Sequence, residues 1–427
     1  MNYLDFVVAS QKFGEARGIT SVCSAHSFVL EAALRHGLSV TPNIPVLIEA
    51  TCNQVNQFGG YTGMKPVDFV RFVYEIADRV GFPRHNIILG GDHLGPLVWS
   101  NEPAENAMEK AKEMVREYVR AGFRKIHLDC SMPCADDQEL PVELIAKRAT
   151  ELTAVAETIA AKFDFKPRYV IGTEVPPAGG AKAGEDHVVI TNPMDAEATI
   201  DVTHQAFSAR GLNSAWERVI ATVVQPGVEF GDETIHEYDR SAAVGLARFI
   251  ETIPGMIYEA HSTDYQSRST LQSLVEDHFG ILKTGPSLTF AFRQAVFALA
   301  DMEKILKKED QLSHINEALE TAMLNQPVYW QKHYAGASQQ QKFARFYSFS
   351  DRIRYYWNAT NVQTSFEHLL SNLGDAPLPL SLVSEYLPRQ YEKIRSKEIE
   401  NHPRTLLLAQ VMDVLENYRF GVSQPVS

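Results

Sequence analysis

The sequence predicts a closed (β/α)8 barrel, a TIM barrel, carrying a helical C-terminal extension. Three observations predict it. Short runs rich in Val, Ile, Leu and aromatic residues recur eight times up to Pro286, each too short for a typical helix. Stretches with helical spacing separate them, and such alternation demands parallel strands joined by helical crossovers. No Gly-x-Gly-x-x-Gly turn follows any run, so the main positive sign of an open doubly wound sheet is missing.

The runs follow in order. Ser21–His26 closes on Ser24-Ala25-His26. Val46–Thr51 closes on Glu49-Ala50-Thr51, followed by Asn53, Gln54 and Asn56, and then by helical spacing over Lys65–Val80. Ile87–His93 ends in two glycines, an acid and an imidazole, Gly90-Gly91-Asp92-His93, before a Gly95-Pro96 stop. The glycines let another backbone or a ligand approach. The helix Pro103–Ala121 comes next, with Pro103 suited to its first turn and Gly122 to its stop. Lys125–Ser131 carries His127, Asp129 and Ser131 and leads to Pro141–Lys162. Arg168–Val175 ends in Thr173-Glu174 and leads to Met194–Arg210. Val219–Gly227 ends in Gln225-Pro226-Gly227 and leads to Arg240–Glu251. Met256–Asp264 ends in Glu259-Ala260-His261-Ser262-Thr263-Asp264 and leads to Arg268–His278. Phe279–Pro286 ends in Lys283-Thr284-Gly285-Pro286, with Ser287–Lys304 after it.

Past Lys307 the alternation stops. The sequence therefore divides into a barrel over 1–306 and an extension over 307–427, about 120 residues and large enough to be a small domain. Leu312–Leu324 and Pro403–Tyr418 have helical spacing. Gln339–Trp357 mixes Gln, Arg and aromatics, a composition for core or subunit contact.

Bulk properties exclude several classes of function. A formal net charge of −13 disfavours nucleic acid and anionic membrane, which reward clustered Lys and Arg. The four cysteines, Cys23, Cys52, Cys130 and Cys134, form no Cys-x-x-Cys pair, the usage of a reducing cytoplasm. Met1–Ser10 lacks the basic-then-apolar order of a signal peptide, and no run is long enough to span a bilayer.

All eight runs place polar or ionisable groups at their C-terminal ends, where barrel enzymes build their sites. Residues two apart share a face of a strand, so His127 pairs with Asp129 and Glu259 with His261. His26, Glu49, His93, Glu174, Gln225 and His261 converge from six strands. Imidazoles among carboxylates at a barrel mouth suit a divalent transition metal with an open position for substrate. His127, in the middle of its run, reads as packing. The loops after the seventh and eighth runs are the usual phosphate cradle of these barrels. Ser262, Lys283, Thr284, Gly285 and Ser287 supply hydroxyls, charge and backbone N–H groups there.

The segments Ile48–Met64, Leu89–Pro96, Lys125–Met132, Ile171–Pro176, Val224–Phe230, Glu259–Gln266 and Arg352–Trp357 closely resemble the GatZ/KbaZ family, subunits of tagatose-1,6-bisphosphate aldolase. The resemblance covers nearly the whole chain. It implies a barrel with a helical extension, acting in galactitol, tagatose or amino-sugar breakdown. It also implies a partner, the catalytic class II aldolase subunit, whose activity and stability this kind of chain supports, and a homo-oligomer is expected beside it. Some members carry an older kinase label, but the chain has no Gly-x-x-x-x-Gly-Lys-Ser/Thr loop.

Class II aldolases carry an Asp-His pair, a Glu and two further histidines around zinc, and here Asp92-His93, Glu174 and His261 look similar. The resemblance thus implies His93, Glu174 and His261 as ligands of a divalent metal, zinc expected, with Asp92 as proton carrier. Glu49, His26 and Asp129 complete the catalytic set, Asn53, Gln54 and Gln225 orient hydroxyls, and the cradle holds a sugar phosphate. Related proteins are assigned epimerisation at C4 by retro-aldol cleavage, rotation and re-addition. Two readings follow: a supporting aldolase subunit, or a metal-dependent ketose-phosphate enzyme in its own right. A shared ion requires His93 and His261 to lie within about 10 Å.

Overall fold

A computed structural model describes residues 2–39, 44–173 and 188–423. Eight strands close into a parallel barrel: β1 (Ile19–Cys23), β2 (Val46–Thr51), β3 (Ile87–Leu94), β4 (Lys125–Leu128), β5 (Arg168–Ile171), β6 (Val219–Val223), β9 (Ile257–Ala260) and β10 (Phe279–Thr284). A two-stranded antiparallel hairpin, β7 (Glu229–Phe230) with β8 (Ile235–His236), sits in the loop after β6. Several strands are shorter than the apolar runs: β4 stops at Leu128 and β9 at Ala260. The polar ends of those runs lie beyond the ladder, on the rim.

The barrel interior is layered. Ile19, Leu47, Ile88, Val170, Ile257 and Ile281 pack together inside, and the N-terminal helix Tyr3–Lys12 adds Leu4, Val7 and Val8 to them. Arg168 of β5 holds that helix by donating to both carboxylate oxygens of Asp5, at 2.6 and 2.5 Å. One layer toward the C-terminal ends the filling turns polar: Ser21, Glu49, Lys125, Glu259 and Lys283 are all buried. Ser21 pairs with Lys283 across one ladder, and Glu49 with Gly90 across another.

The two glycines of β3 now have separate reasons. A Cβ on Gly90 would stand 2.7 Å from Cγ of Glu49, so the glycine makes room for that side chain. Gly91 lies against Leu94 and Tyr118. Beyond them, His93 has φ 50°, and the β3–β4 register shifts between Gly91 and Leu94. That irregularity breaks the strand's alternation, so Asp92 and His93, although neighbours, both line the cavity at the mouth. Gly95 closes the turn. A Cβ there would come 1.6 Å from the carbonyl oxygen of Asp129. Gly95→Ala should therefore shift the β3 and β4 ends apart and cost about 2–3 kcal/mol, as overpacking does. Urea unfolding measures it, and a cost under about 0.5 kcal/mol would show that the turn yields freely.

The extension is helical: Ile315–Asn325, Ser338–Tyr347, Thr360–Leu373, Leu380–Tyr386, Pro388–Arg395 and Pro403–Val422. Its apolar faces share one core with two helices of the barrel. Phe28, Val29, Leu288 and Phe292 pack in the same cluster as Leu319, Leu369, Val383 and Leu407. The turn Arg352–Tyr355 reaches the barrel mouth and is anchored there. Asp351, just before it, accepts from Nε of Arg293 at 2.9 Å and from the Thr289 hydroxyl at 2.7 Å. The aromatic stretch has three fates: Phe343 and Tyr347 are exposed, Tyr356 is buried, and Tyr355 and Trp357 line the cavity. Among the described residues no helix is long and apolar enough to cross a membrane.

Candidate functional site

The floor of the mouth is a buried network of lysines and carboxylates. Lys125 points inward from β4 and lies 2.6 Å from Glu49 of β2 and 2.6 Å from Glu259 of β9. None of the three side chains is exposed to solvent. Burial pulls the Lys125 ammonium down, but Glu259 and Glu49 outweigh it and hold the pKa above the ordinary lysine value. Burial pushes Glu259 up, but Lys125 and the neighbouring imidazoles hold its carboxyl well below the usual range. Lys283 of β10 pairs with Asp92 and lies 3.5 Å from Glu259 and 4.0 Å from Glu49.

Three imidazoles stand above this floor. His93 is 5.0 Å from His261 and 5.1 Å from His127, ring centre to ring centre, and His127 is 5.0 Å from His261. The spacing of His93 and His261 is inside the limit that a shared ion sets. Asp92, His127, Glu259 and His261 are buried, and each offers one ligand atom within 4.8 Å of the others. Nδ1 of His127 lies 3.0 Å from Oδ1 of Asp92 and 3.2 Å from the backbone nitrogen of His93; in the tautomer that donates Nδ1–H to Asp92, the ring's lone pair is on Nε2. Nε2 of His261 lies 3.0 Å from Oε1 of Glu259. Burial pushes His127 down to about 4 and His261 down to about 3, so both rings are neutral at pH 7 and keep a lone pair for a cation.

Nε2 of His127 is buried and has no hydrogen-bond partner among the described residues. An orphaned ring nitrogen in a carboxylate-lined pocket costs stability, and it fits a bound divalent ion. The mixed nitrogen and oxygen donors suit zinc or a similar transition metal. The Lys283 ammonium lies against the same carboxylates, so an ion and Lys283 draw on shared oxygens.

His93 has its own orienting partner. Its Nδ1 lies 2.7 Å from Oδ2 of Asp129, while Oδ1 of Asp129 accepts the Ser131 N–H at 3.0 Å and hydroxyl at 2.6 Å. Burial would raise the Asp129 pKa, but the His93 contact and the Ser131 hydroxyl hold it well below the usual range. With Nδ1 engaged, Nε2 of His93 is the free end of the ring, 3.8 Å from Oδ2 of Asp92. An imidazole oriented through one nitrogen and open at the other is built to move protons.

The other expected residues divide. Asn53, Gln54, Ser262, Thr284 and Gly285 line the cavity with Asp92, His93, His261 and Lys283. Gln54 also accepts the Thr51 N–H at 3.1 Å, which fixes its amide at the rim. His26 lines the wall too, but inside an aromatic box, 4.4 Å from Phe292 and 5.9 Å from Trp357 between ring centres. Burial pushes it down to about 3. Gln225 is not among the described residues that line the cavity; its side-chain oxygen caps a turn, accepting the N–H groups of Gly227 and Val228 at 2.8 and 3.0 Å. Ser287 donates its N–H to Asp264 at 2.8 Å. Glu174 lies outside the described residues.

Sequence reasoning set aside His127 as packing and did not place Lys125 in the site. Alternation carried the signal for both: Lys125, His127 and Asp129 share one face, and in a barrel that face is the interior.

Residues 4–423 match the family model described as D-tagatose-1,6-bisphosphate aldolase subunit GatZ/KbaZ-like. Among solved structures, a probable tagatose 6 phosphate kinase from Sinorhizobium meliloti 1021 is 44% identical, covers 95% of this chain and 100% of its own, and superposes with a TM-score of 0.87. A fructose-bisphosphate aldolase from Campylobacter jejuni is 14% identical over 90% of this chain and 92% of its own, with a TM-score of 0.45. The fructuronate-tagaturonate epimerase UxaE from Cohnella laeviribosi is 11% identical over 94% and 81%, with a TM-score of 0.47. The last two likenesses are too remote to bear on chemistry. The match over nearly the whole length and the 44% relative place the chain in a family: it belongs to the GatZ/KbaZ-like family, whose model is described by its D-tagatose-1,6-bisphosphate aldolase subunits.

Proposed function

We propose that the chain is a metal-dependent enzyme that breaks and remakes the C3–C4 bond of a ketose phosphate, as an aldolase or a 4-epimerase. The observation that carries this reading is the buried convergence of Asp92, His127, Glu259 and His261 beside an oriented His93–Asp129 pair. Retro-aldol cleavage has two needs: the C4 hydroxyl must lose its proton, and the charge that develops at the ketose carbonyl must be stabilised. A divalent ion held by Asp92, His127, Glu259 and His261 would supply that electrophilic stabilisation.

The chain's own residues do the rest. His93, oriented by Asp129, takes the C4 hydroxyl proton at Nε2 and returns it when the bond re-forms. Asn53 and Gln54 position hydroxyls at the rim. Asp92 and His93 thereby exchange the roles expected from the sequence, because the group whose ligand atoms lie within 4.8 Å of one another contains Asp92 and not His93. The wall opposite, with His26 among Phe292 and Trp357, is apolar and excludes water.

NMR of the isolated chain with tagatose 6-phosphate, fructose 6-phosphate and tagatose 1,6-bisphosphate tests the reading, alongside metal analysis. Interconversion or cleavage that a chelator abolishes and added metal restores is the expected result. No turnover of any of the three by metal-loaded protein would leave the second reading, which the family's description favours. In that reading the chain is a subunit that supports a catalytic class II aldolase in galactitol, tagatose or amino-sugar breakdown. Four unpaired cysteines suit a cytoplasmic location for either role.

A further inference from the structure

We propose that Arg354, from the C-terminal extension, grips the substrate phosphate in place of the loop that follows β10. The inference rests on the ketose-phosphate reading above and adds the residue that recognises the anionic end.

The loop after β10 has its donors occupied. The N–H groups of Gly285 and Ser287 and the hydroxyl of Thr284 all donate to Oδ1 of Asp264, at 3.0, 2.8 and 3.1 Å. Asp264 is 2% exposed and lines the same cavity. A carboxylate thus fills the place where an anion would bind and repels a second one. Lys283 is likewise surrounded by Asp92, Glu259 and Glu49.

Arg354 differs in every respect. It lines the cavity and is half-buried. Its hydrogen bonds go to the carbonyl oxygens of Ser350 and Asp351 and to the Tyr355 hydroxyl, the last at 2.9 Å. Those bonds fix the guanidinium plane without cancelling its charge. Among the described residues no carboxylate lies within 4.0 Å of it, and its Nε–H makes no hydrogen bond. The guanidinium carbon lies 4.5 Å from the centre of the Tyr355 ring. That ring is held between Tyr61 at 4.7 Å and Tyr329 at 4.8 Å, and the whole turn is pinned through Asp351 to Arg293 and Thr289. An oriented fork with spare donors and, among the described residues, no carboxylate in contact is what a phosphate monoester binds. Nearby, Nε of Arg352 is buried without a partner among the described residues, and that side chain lines an adjoining cavity that shares Asn53, Tyr61, His93 and Tyr355. In a chain of net charge −13, a turn with two arginines at the mouth also steers anions inward.

Calorimetric titration of the full chain with inorganic phosphate is the test, using the unsubstituted protein, Arg354→Gln and Arg354→Lys, each checked for an unchanged melting temperature. We expect Arg354→Gln to weaken phosphate binding at least about tenfold, the loss of one charge-assisted hydrogen bond, and Arg354→Lys to retain part of it. In turnover, Arg354→Gln should raise KM for the phosphorylated ketose by a similar factor and leave that for the unphosphorylated ketose unchanged. Absence of phosphate binding by the unsubstituted chain, or affinity in Arg354→Gln within about twofold of it, overturns the proposal. The titration needs no catalysis. A chain that turns over ketose phosphates with Arg354→Gln unaltered refutes this inference alone. A chain that turns over none, yet loses phosphate affinity on substitution, refutes the functional reading alone.

Discussion

On the metal-dependent reading proposed above, His127→Ala should abolish divalent-ion binding and turnover while leaving the barrel folded. His127 is one of four residues whose ligand atoms lie within 4.8 Å of one another, and its Nε2 has no partner among the described residues. Loss of an outer-shell partner alone typically costs 10- to 100-fold in metal affinity, so loss of a ligand should cost at least about 100-fold. The substitution also gives up the Nδ1 contacts to Asp92 and the His93 backbone nitrogen, a cost of about 1–3 kcal/mol that the closed eight-stranded barrel should survive. Metal content by mass spectrometry after gel filtration, with circular dichroism as the control, reads both quantities. Full metal occupancy in the variant would return His127 to the packing role its mid-strand position suggests.

His93→Ala completes the comparison. If His93 is the proton carrier, the variant keeps metal to within about tenfold and loses turnover by about 10²–10⁴, the usual range for a general acid–base. If His93 is a ligand, as the sequence implies, metal is lost with activity.

The barrel was legible because its strands are nearly continuous apolar runs, the pattern of parallel strands buried on both faces. Their ends were less legible, since the rim residues after β4 and β9 continue the runs in sequence but leave the ladder in space. Asp92 and His93 announced themselves through two glycines and a following Gly-Pro. That both reach the mouth depends on the positive φ of His93, which alternation alone does not foresee. Lys125, the first residue of its run, was not placed in the site. Its two carboxylate partners come from β2 and β9, and only the closed barrel brings them together. The Asp264 contacts were hidden for a similar reason: the loop has the right composition for an anion, and the structure sets a carboxylate of the chain against its donors. Arg354 lies about 70 residues beyond the last strand, in a stretch whose aromatics spoke more plainly of core.

Lys125→Met should be the most destabilising change in the site. Its ammonium is 2.6 Å from both Glu49 and Glu259, with no exposure on any of the three. Removing one partner of a buried ion pair leaves uncompensated charge and costs about 3–5 kcal/mol, and here one lysine serves two carboxylates. The sign of the pH dependence follows from Glu259, whose pKa is held below its unfolded value. That depression contributes stability above the unfolded carboxylate value of about 4.3, and the contribution is lost as pH falls through the folded value. In Lys125→Met the carboxylate loses its chief cation, its pKa rises, and it protonates as pH falls from 7 toward 4. The stability gap between the two proteins should therefore be widest near pH 7 and shrink toward pH 4. A divalent ion would supply positive charge to the same oxygens, so saturating metal should raise the melting temperature of Lys125→Met more than that of the unsubstituted chain. Urea and thermal unfolding across pH 4–7, with and without metal, measure all three quantities. A loss below about 1 kcal/mol that is the same at every pH would show that Lys125 does not hold these carboxylates charged.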